Sequence, residues 1–204
     1  MKRIILYTII IFTFCNCQNK KDKTSVAAEQ IKDINKIVEA IIIQDSLDVF
    51  SKSEDSIMFC SELRKLKISI PQKTKEGYIP PLLDREIYIS DLLYNHPKEE
   101  VFFSVNDSLY LLKQNSNPQK LKIELNLLNK LNTTTVEKAL IKRKNAEMFR
   151  FYEMTIPVFS LDRQKAYVQL DFFYAGLGGS GQAIFMEKIN GKWKIIKKRQ
   201  TWIS

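Results

Sequence analysis

The glycines of "GLGGSG", residues 176–181, have the G-x-G-x-x-G spacing of loops that bind phosphate groups. Such a loop works because its last glycine opens a helix, whose free backbone amides hold a pyrophosphate. The residues after Gly181, "QAIFMEKINGKW", are rich in β-branched and aromatic side chains and contain a turn, which indicates a strand instead. We therefore predict no nucleotide or other cofactor at this loop, and an antiparallel strand on each side of it.

The same loop is the first candidate for binding a ligand or partner. Glycine permits backbone angles that other residues resist, and it lets another chain approach closely. Two interpretations stay open: a twisted connection between strands, or a mobile loop that closes on a ligand or partner. Ser180 is not predicted to be a nucleophile, because Gln182 stands where G-x-S-x-G requires glycine. The candidate residues are Gly176, Gly178, Gly179, Ser180 and Gly181.

An acidic residue, Asp171, interrupts the aromatic strand "QLDFFYA" and is the candidate for an acidic site. On a buried face a carboxylate has a raised pKa and suits acid–base work, whereas on a solvent face it is ordinary. The one histidine, His96, is predicted to be a surface residue, and the H-E-x-x-H spacing of zinc hydrolases is missing. We predict no metal ion and name no catalytic residue. A hydrolase that uses an unrecognised carboxylate site is the alternative to a binding function.

Apolar spacing predicts the elements that must position these groups. A helix is predicted after Ser25, with apolar residues three or four apart on one face: Ile31, Ile34, Val38, Ile41 and Ile42. In "VFFSVNDSLYLLKQ" residues typical of strands flank Asn106 and Asp107, which predicts a hairpin. Farther along, Thr134 stands three residues before Glu137, the spacing of a capping box at a helix start.

Four strands are predicted near the C-terminus: "RFYEMTIPVFS", "KAYVQLDFFYA", "QAIFMEKI" and "KWKIIKKRQTWI". Asn190 and Gly191 join the last two, and this pair favours the positive backbone angles of a type I′ turn. An N-terminal helix, a mixed middle region and a four-stranded antiparallel meander are the element order of an α+β fold. A cystatin-like or nuclear-transport-factor-like (NTF2-like) sheet is one specific form that this order allows.

The first residues resemble a bacterial lipoprotein signal. A positive start, "MKR", precedes an apolar run from Ile4 to Phe14, shorter than the roughly 20 residues that a membrane-spanning helix needs. The run meets Cys15 and Cys17 directly. Cys17 is the preferred acylation site, with Cys15 the alternative, because Asn16 before Cys17 is smaller than Phe14 before Cys15. An uncleaved helix that anchors the chain by itself is the other interpretation.

These features predict the organisation of the chain. Residues 1–16 are the signal peptide, residues 17–25 are the lipidated cysteine with a flexible tether, and residues 26–204 are one α+β domain. Membrane lipid is then a partner through acylated Cys17, and the location is the bacterial cell envelope, on the periplasmic side or in the outer membrane. Only Cys60 is left besides the two leader cysteines, so no disulfide is predicted within the domain.

The positive charge of the chain suits anionic surfaces, but it is also common in exported proteins without such a partner and by itself decides little. Its 32 basic and 23 acidic residues give a net charge of +9, which suits an envelope protein or an anionic glycan. In the basic run "KWKIIKKR", strand alternation would turn Trp193 inward and Lys194 outward, and lysines discourage pairing between sheet edges. We therefore predict no nucleic-acid partner, and we predict that Trp193 and Trp202 fill and cover the core and are not platforms for a ligand.

The C-terminal part of the chain resembles a family of small, uncharacterised bacterial lipoproteins. The resemblance lies in "VFSLDRQKAYVQLDF", the glycine loop "GLGGSG", "NGKWKI" and the terminal "TWIS". Family members often carry two cysteines around the glycine loop, and Tyr174 and Gly178 stand at those places here, so a loop held by a disulfide does not carry over. The resemblance implies export, lipidation and a sheet-rich end. Together with the leader it predicts a lipid-anchored envelope protein that acts as a binding or interaction module.

Overall fold

Short helices and strands come first in the chain, and long strands come last. The computed structural model describes residues 28–51, 56–83, 85–93, 101–144, 149–174 and 178–204, so Cys15, Cys17, His96 and Gly176 lie outside the described residues. The helices are α1 (residues 28–44), α2 (Ile89–Leu93), α3 (Ser108–Lys113), α4 (Leu125–Leu128) and α5 (Val136–Lys144). The strands are β1 (Met58–Cys60), β2 (Glu62–Arg64), β3 (Lys67–Ser69), β4 (Glu86–Tyr88), β5 (Lys120–Lys122), β6 (Thr133–Thr134), β7 (Phe151–Met154), β8 (Val158–Phe159), β9 (Lys165–Phe173), β10 (Gly179–Ile189) and β11 (Lys192–Ile203).

The chain divides into two compact units, residues 1–36 and residues 37–204. Of the first unit, residues 28–36 are described and are helical. In the second unit the end of α1 is fixed to β11, because the Gln44 amide donates to the Trp193 carbonyl at 2.8 Å and accepts from the Ile195 amide at 3.0 Å. The predicted N-terminal helix is confirmed. Its four fully buried residues in this unit are Ile37, Val38, Ile41 and Ile42.

The largest sheet is mixed and has seven strands. Its order is β11-β10-β9-β7-β1-β6, and β8 also pairs with β9. The pairs β7–β9, β9–β10 and β10–β11 are antiparallel, whereas β1 runs parallel to both β6 and β7. Two small sheets, β2–β5 and β3–β4, complete the middle of the chain. The predicted α+β class with a C-terminal antiparallel meander is therefore confirmed.

The turn between β10 and β11 has the predicted geometry. Asn190 and Gly191 have φ angles of 51° and 75°, and Ile189 faces Lys192 in the register. Positive φ at both central residues defines a type I′ turn, whose twist matches that of the flanking strands. This local prediction is confirmed.

The predicted hairpin around Asn106 is wrong. A 3₁₀ helix covers Val105–Asp107 and continues into α3. Two side chains stabilise this start: the Ser104 hydroxyl accepts from the Asn106 amide at 3.2 Å, and Asp107 Oδ2 accepts from the Ser104 amide at 2.8 Å. Asp107 Oδ1 also accepts from the Leu161 amide at 2.8 Å, so a long-range contact adds to the local capping. Together these bonds outweigh the strand propensity of the surrounding residues.

The predicted capping box of α5 is also wrong, by one residue. Thr134 belongs to β6 and faces Cys60 of β1. Thr135 caps the helix instead, since its hydroxyl accepts from the Lys138 amide at 3.2 Å. The pairing of β6 with β1 therefore moves the helix start to Val136.

One face of the large sheet changes along its length from core to open groove. Alternation puts Tyr167 of β9 and Phe185 of β10 on this face, where they pack with Phe103 and Leu111 in a buried cluster. Farther along β9 the same face carries Gln169, Asp171 and Phe173, which border a groove. The face is therefore packed around Tyr167 and Phe185 and borders an open groove around Gln169, Asp171 and Phe173.

Candidate functional site

Four residues form a row across four neighbouring strands. Glu153 of β7 faces Asp171 of β9, Asp171 faces Gly181 of β10, and Gly181 faces Trp202 of β11. Facing residues of antiparallel strands point to the same side of the sheet. The row therefore places two acidic side chains, a gap without a side chain and an indole next to one another.

Asp171 is buried beneath Trp202. Only 5 % of Asp171 is exposed, and its Oδ1 accepts a hydrogen bond of 2.9 Å from the indole Nε1. The indole must cross β10 to make this bond, since Gly181 lies between the two residues in the register. Asp171 thus lies on the buried face, one of the two cases that the sequence left open, with a specific donor.

Glycine is required where the indole crosses β10. A Cβ atom at Gly181 would overlap Nε1 of Trp202 and lie 2.5 Å from Oδ1 of Asp171, and one at Gly179 would lie 2.6 Å from Cη2 of Trp202. Real Cβ atoms almost never come within 3.0 Å of such neighbours. The glycines therefore provide space for an aromatic ring, the close approach that glycine allows.

The glycine segment is more regular than a loop. Gly179, Ser180 and Gly181 belong to β10 and pair with both β9 and β11. Gly178 precedes the strand, and a Cβ atom there would overlap the Tyr174 ring. The segment does join two antiparallel strands, as predicted.

Glu153 is the residue that the sequence analysis missed. It is 4 % exposed, and its Oε1 lies 2.9 Å from Nη1 of Arg85 and 3.7 Å from Nε of Arg64. Two carboxylates facing each other across a strand pair repel, and the guanidinium groups offset that repulsion. The charge that interrupts the apolar stretch "FYEM" is the same kind of pattern that identified Asp171.

The open side of this row is a groove of about 550 Å³. Phe173 and Trp202 form an apolar wall, with ring centroids 5.7 Å apart and planes at 41°. Leu82 and Leu83 line it too, and the Leu83 side chain is largely exposed. The groove is called the Trp202 groove below. Trp202 covers Asp171 and is also a wall of this groove.

Polar groups lie among these apolar walls. Asp91, Gln169, Arg199 and Thr201 line the Trp202 groove together with Asp171. The fully buried Tyr167 also borders it, and its hydroxyl accepts from the Gln169 amide at 3.3 Å. Burial raises the pKa of Tyr167 to about 12.

Other candidates from the sequence have structural roles. Trp193 is 3 % exposed and packs near Phe159, with ring centroids 5.9 Å apart, which confirms it as a core residue. Burial raises the pKa of the Cys60 thiol, so it is held as the unreactive thiol. Asp45 forms an ion pair with Lys198. Among the described residues no group of three or more His, Cys, Asp or Glu side chains could hold a metal ion.

Comparison with protein-family models, with curated proteins and with solved structures finds no match to this chain. Within the described ranges, no helix is both long enough and apolar enough to cross a membrane. The geometry of the Trp202 groove is therefore what supports the function proposed next.

Proposed function

We propose that this protein is a lipid-anchored module of the bacterial cell envelope that binds an acidic glycan in the Trp202 groove. The single observation that carries the proposal is an open, aromatic-walled groove beside a buried carboxylate whose donor is already in place. The leader supports the anchor: its apolar run is too short to span a bilayer and ends at Cys15 and Cys17. Several acyl chains, at about 0.8 kcal/mol per buried methylene, would hold the domain firmly.

The walls of the groove suit a sugar ring. Ring faces such as those of Phe173 and Trp202 offer flat apolar area, against which the C–H face of a sugar can pack. Gln169, Thr201 and Arg199 offer donors and acceptors for hydroxyl groups. A few polar groups among apolar walls are typical of small-molecule sites. Removal of Lys2 and Arg3 with the signal peptide leaves 30 basic and 23 acidic residues, a net charge of +7 that suits an acidic ligand.

The same contacts give less support to the alternative of an envelope hydrolase. A pair of carboxylates that works as acid and base must converge on the scissile bond. Here Asp171 is beneath the Trp202 indole, and Glu153 contacts two guanidinium groups. Both acids have structural partners, which favours binding over proton transfer.

Acylation predicts a specific response to two cysteine substitutions. We expect Cys17→Ala to abolish lipidation and to release the domain from membranes or leave the precursor unprocessed, because the acyl acceptor is lost. Mass spectrometry of the N-terminus and membrane fractionation measure this. Cys15→Ala is the matched comparison and should leave both unchanged. Unaltered mass and fractionation of the Cys17 variant would contradict the assignment, and loss in the Cys15 variant alone would move the site to Cys15.

Ligand binding in the groove can be detected through Trp202 itself. The chain has two tryptophans, so Trp193→Phe leaves Trp202 as the only one. We expect at least one sugar from a panel of hexoses, N-acetylhexosamines, uronic acids and hexose phosphates to shift or quench its emission saturably, because the ring is partly exposed at the groove. Trp202→Phe, which leaves only the buried Trp193, should show no response to the same sugar. A panel without any saturable change in the first variant would speak against glycan binding.

A further inference from the structure

A second pocket, strongly basic, lies beside the Trp202 groove. Its volume is about 330 Å³, and five of its seven lining residues are cationic: Arg64, Lys65, Lys67, Arg85 and Lys120. Glu86 is its one acidic lining residue. We call it the basic pocket. Such a concentration of positive charge in a recess raises the local concentration of anions.

Strand pairing brings these cations together. Arg64 of β2 faces Lys120 of β5, and Lys67 of β3 faces Glu86 of β4. Opposite charges facing each other stabilise a strand pair, whereas like charges destabilise it. The facing of Arg64 and Lys120 is therefore a repulsion that nearby anions must offset.

Nearby carboxylates satisfy some of these cations. Lys67 lies 2.5 Å from Glu86, and Lys120 lies 2.6 Å from Glu137 and 3.1 Å from Glu62. The hydrogen bond from Lys120 lowers the pKa of Glu137 to about 2. These two lysines are thus held by acidic partners.

The other cations that line the pocket are two arginines and one lysine. Arg64 and Arg85 both contact the same carboxylate oxygen, Oε1 of Glu153. Arg64 approaches it only at 3.7 Å, too far for a hydrogen bond. In the ranges that the structure describes, no hydrogen bond involves the Arg64 guanidinium, and the Lys65 ammonium has neither a hydrogen bond nor an ion pair.

The Arg64 guanidinium, which has no hydrogen-bond partner among the described residues, can bind a ligand. It carries five N–H donors in a planar fork that fits two oxygens of a phosphate or sulfate. The Arg64 side chain is only 26 % exposed and lines the basic pocket. A partly buried guanidinium in the wall of a polar recess suits the binding of an oxyanion.

Arg85 connects the basic pocket to the Trp202 groove. Arg85 and Glu86 line both cavities. Arg85 also has a φ angle of 58°, a left-handed conformation that costs a non-glycine residue roughly 1 kcal/mol or more and is common at ligand sites. In this backbone conformation the Arg85 guanidinium lies 2.9 Å from Oε1 of Glu153.

We propose that the basic pocket is an oxyanion subsite, in which Arg64, Arg85 and Lys65 bind a phosphate or sulfate group. Resting on the function proposed above, this group is carried by the glycan whose ring lies in the Trp202 groove. The acidic ligand is then a phosphorylated or sulfated sugar, because carboxylate alone would use fewer of the available donors. A ligand that spans both cavities passes over Arg85 and Glu86.

Inorganic phosphate and sulfate test the subsite without any sugar. We expect the full chain, purified in detergent, to bind either ion saturably in isothermal titration calorimetry. Arg64→Gln should weaken binding by roughly tenfold or more, the loss expected when charge-assisted hydrogen bonds are removed. Arg64→Lys should restore part of the affinity, because it returns the charge without the fork. Lys65→Gln, at a side chain without a structural partner in the described ranges, should weaken binding while leaving the urea midpoint unchanged.

Lys130→Gln is the matched control. Lys130 is exposed and does not line the basic pocket, so this variant loses the same charge elsewhere and should bind phosphate like the unaltered chain. If Lys130→Gln weakened phosphate binding as much as the pocket variants do, the effect would come from the overall charge of the chain, and the proposal would be overturned. The absence of saturable binding would also overturn it, as would unchanged affinity in both Arg64→Gln and Lys65→Gln.

A sugar phosphate separates this proposal from the glycan proposal. With the Trp193→Phe chain, we expect glucose 6-phosphate to change Trp202 emission and to bind more tightly than inorganic phosphate, and Arg64→Gln to weaken it. Phosphate binding without a change in Trp202 emission on addition of sugar would support the oxyanion subsite and contradict glycan binding in the Trp202 groove. A sugar response that Arg64→Gln and Lys65→Gln leave intact would support the groove and overturn the subsite.

Discussion

Gly181→Ala is expected to lower the free energy of unfolding by about 2 kcal/mol, because the buried Asp171 carboxylate loses its hydrogen bond from Trp202. The added Cβ atom would occupy the space that the indole uses to cross β10 and would lie 2.5 Å from Asp171 Oδ1. The indole can rotate toward solvent, whereas Asp171, at 5 % exposure, cannot. Urea unfolding of the full chain in detergent measures the change.

Ser180→Ala is the control for this substitution. Ser180 is the next residue of the same strand and, by alternation, points to the other side of the sheet. We expect a change within about 0.5 kcal/mol, the usual size for such a site. Equal losses in the two variants would contradict the role given to Gly181.

A double-mutant cycle isolates the indole. In a Trp202→Ala background the ring is gone, and Gly181→Ala should cost less than half of what it costs in the unaltered chain. Coupling of this kind is expected for residues in contact and is absent for distant ones. Additive losses would show that the cost of the Cβ atom has another cause. With coupling, the emission of Trp202 in the Trp193→Phe, Gly181→Ala chain should also shift to longer wavelength as the indole becomes solvated.

Glu153→Gln is expected to destabilise the fold by about 2–3 kcal/mol, below the usual cost of breaking a fully buried pair because both guanidinium groups are partly exposed. Glutamine keeps the shape and one acceptor but removes the charge that Arg64 and Arg85 share. Relief of repulsion with Asp171 works in the opposite direction. Attraction prevails, since the Glu153 carboxylate has two cations at 2.9 and 3.7 Å and one facing acid.

The matched control for Glu153→Gln is Glu187→Gln on β10. Glu187 lies 3.7 Å from Lys165, and both side chains are about one-third exposed. A surface pair of this kind contributes roughly 0–1 kcal/mol. We expect a much smaller shift of the urea midpoint than for Glu153→Gln. Similar shifts would mean that Glu153 behaves as a surface charge and would remove the structural role given to it.

Local rules succeeded where a few neighbouring residues determine the conformation. The Asn190-Gly191 turn follows from two positive φ angles, and the strands after Lys165 follow from a period of two. The same rules failed at Asn106, where Ser104 and Asp107 cap a helix and a bond from Leu161 reinforces it. They failed by one residue at Thr134, because β6 pairs with β1 over that residue.

The candidate site was only half visible in the sequence. Asp171 was identifiable because a charge interrupts an aromatic strand, and Glu153 shows the same interruption. That the two face each other depends on the register of β7 against β9, which no short segment encodes. The basic pocket was beyond reach, since Arg64, Arg85 and Lys120 come from three separated segments.

By itself the sequence determined the fold class, the C-terminal meander and its final turn, because those depend on periodicity and on glycine's backbone freedom within a few residues. Only the tertiary structure decided what the glycines at 179 and 181 are for, which acids and arginines meet, and where the sheet stays open. Those features arise from side chains brought together across strands, where spacing along the chain carries no information about distance in space.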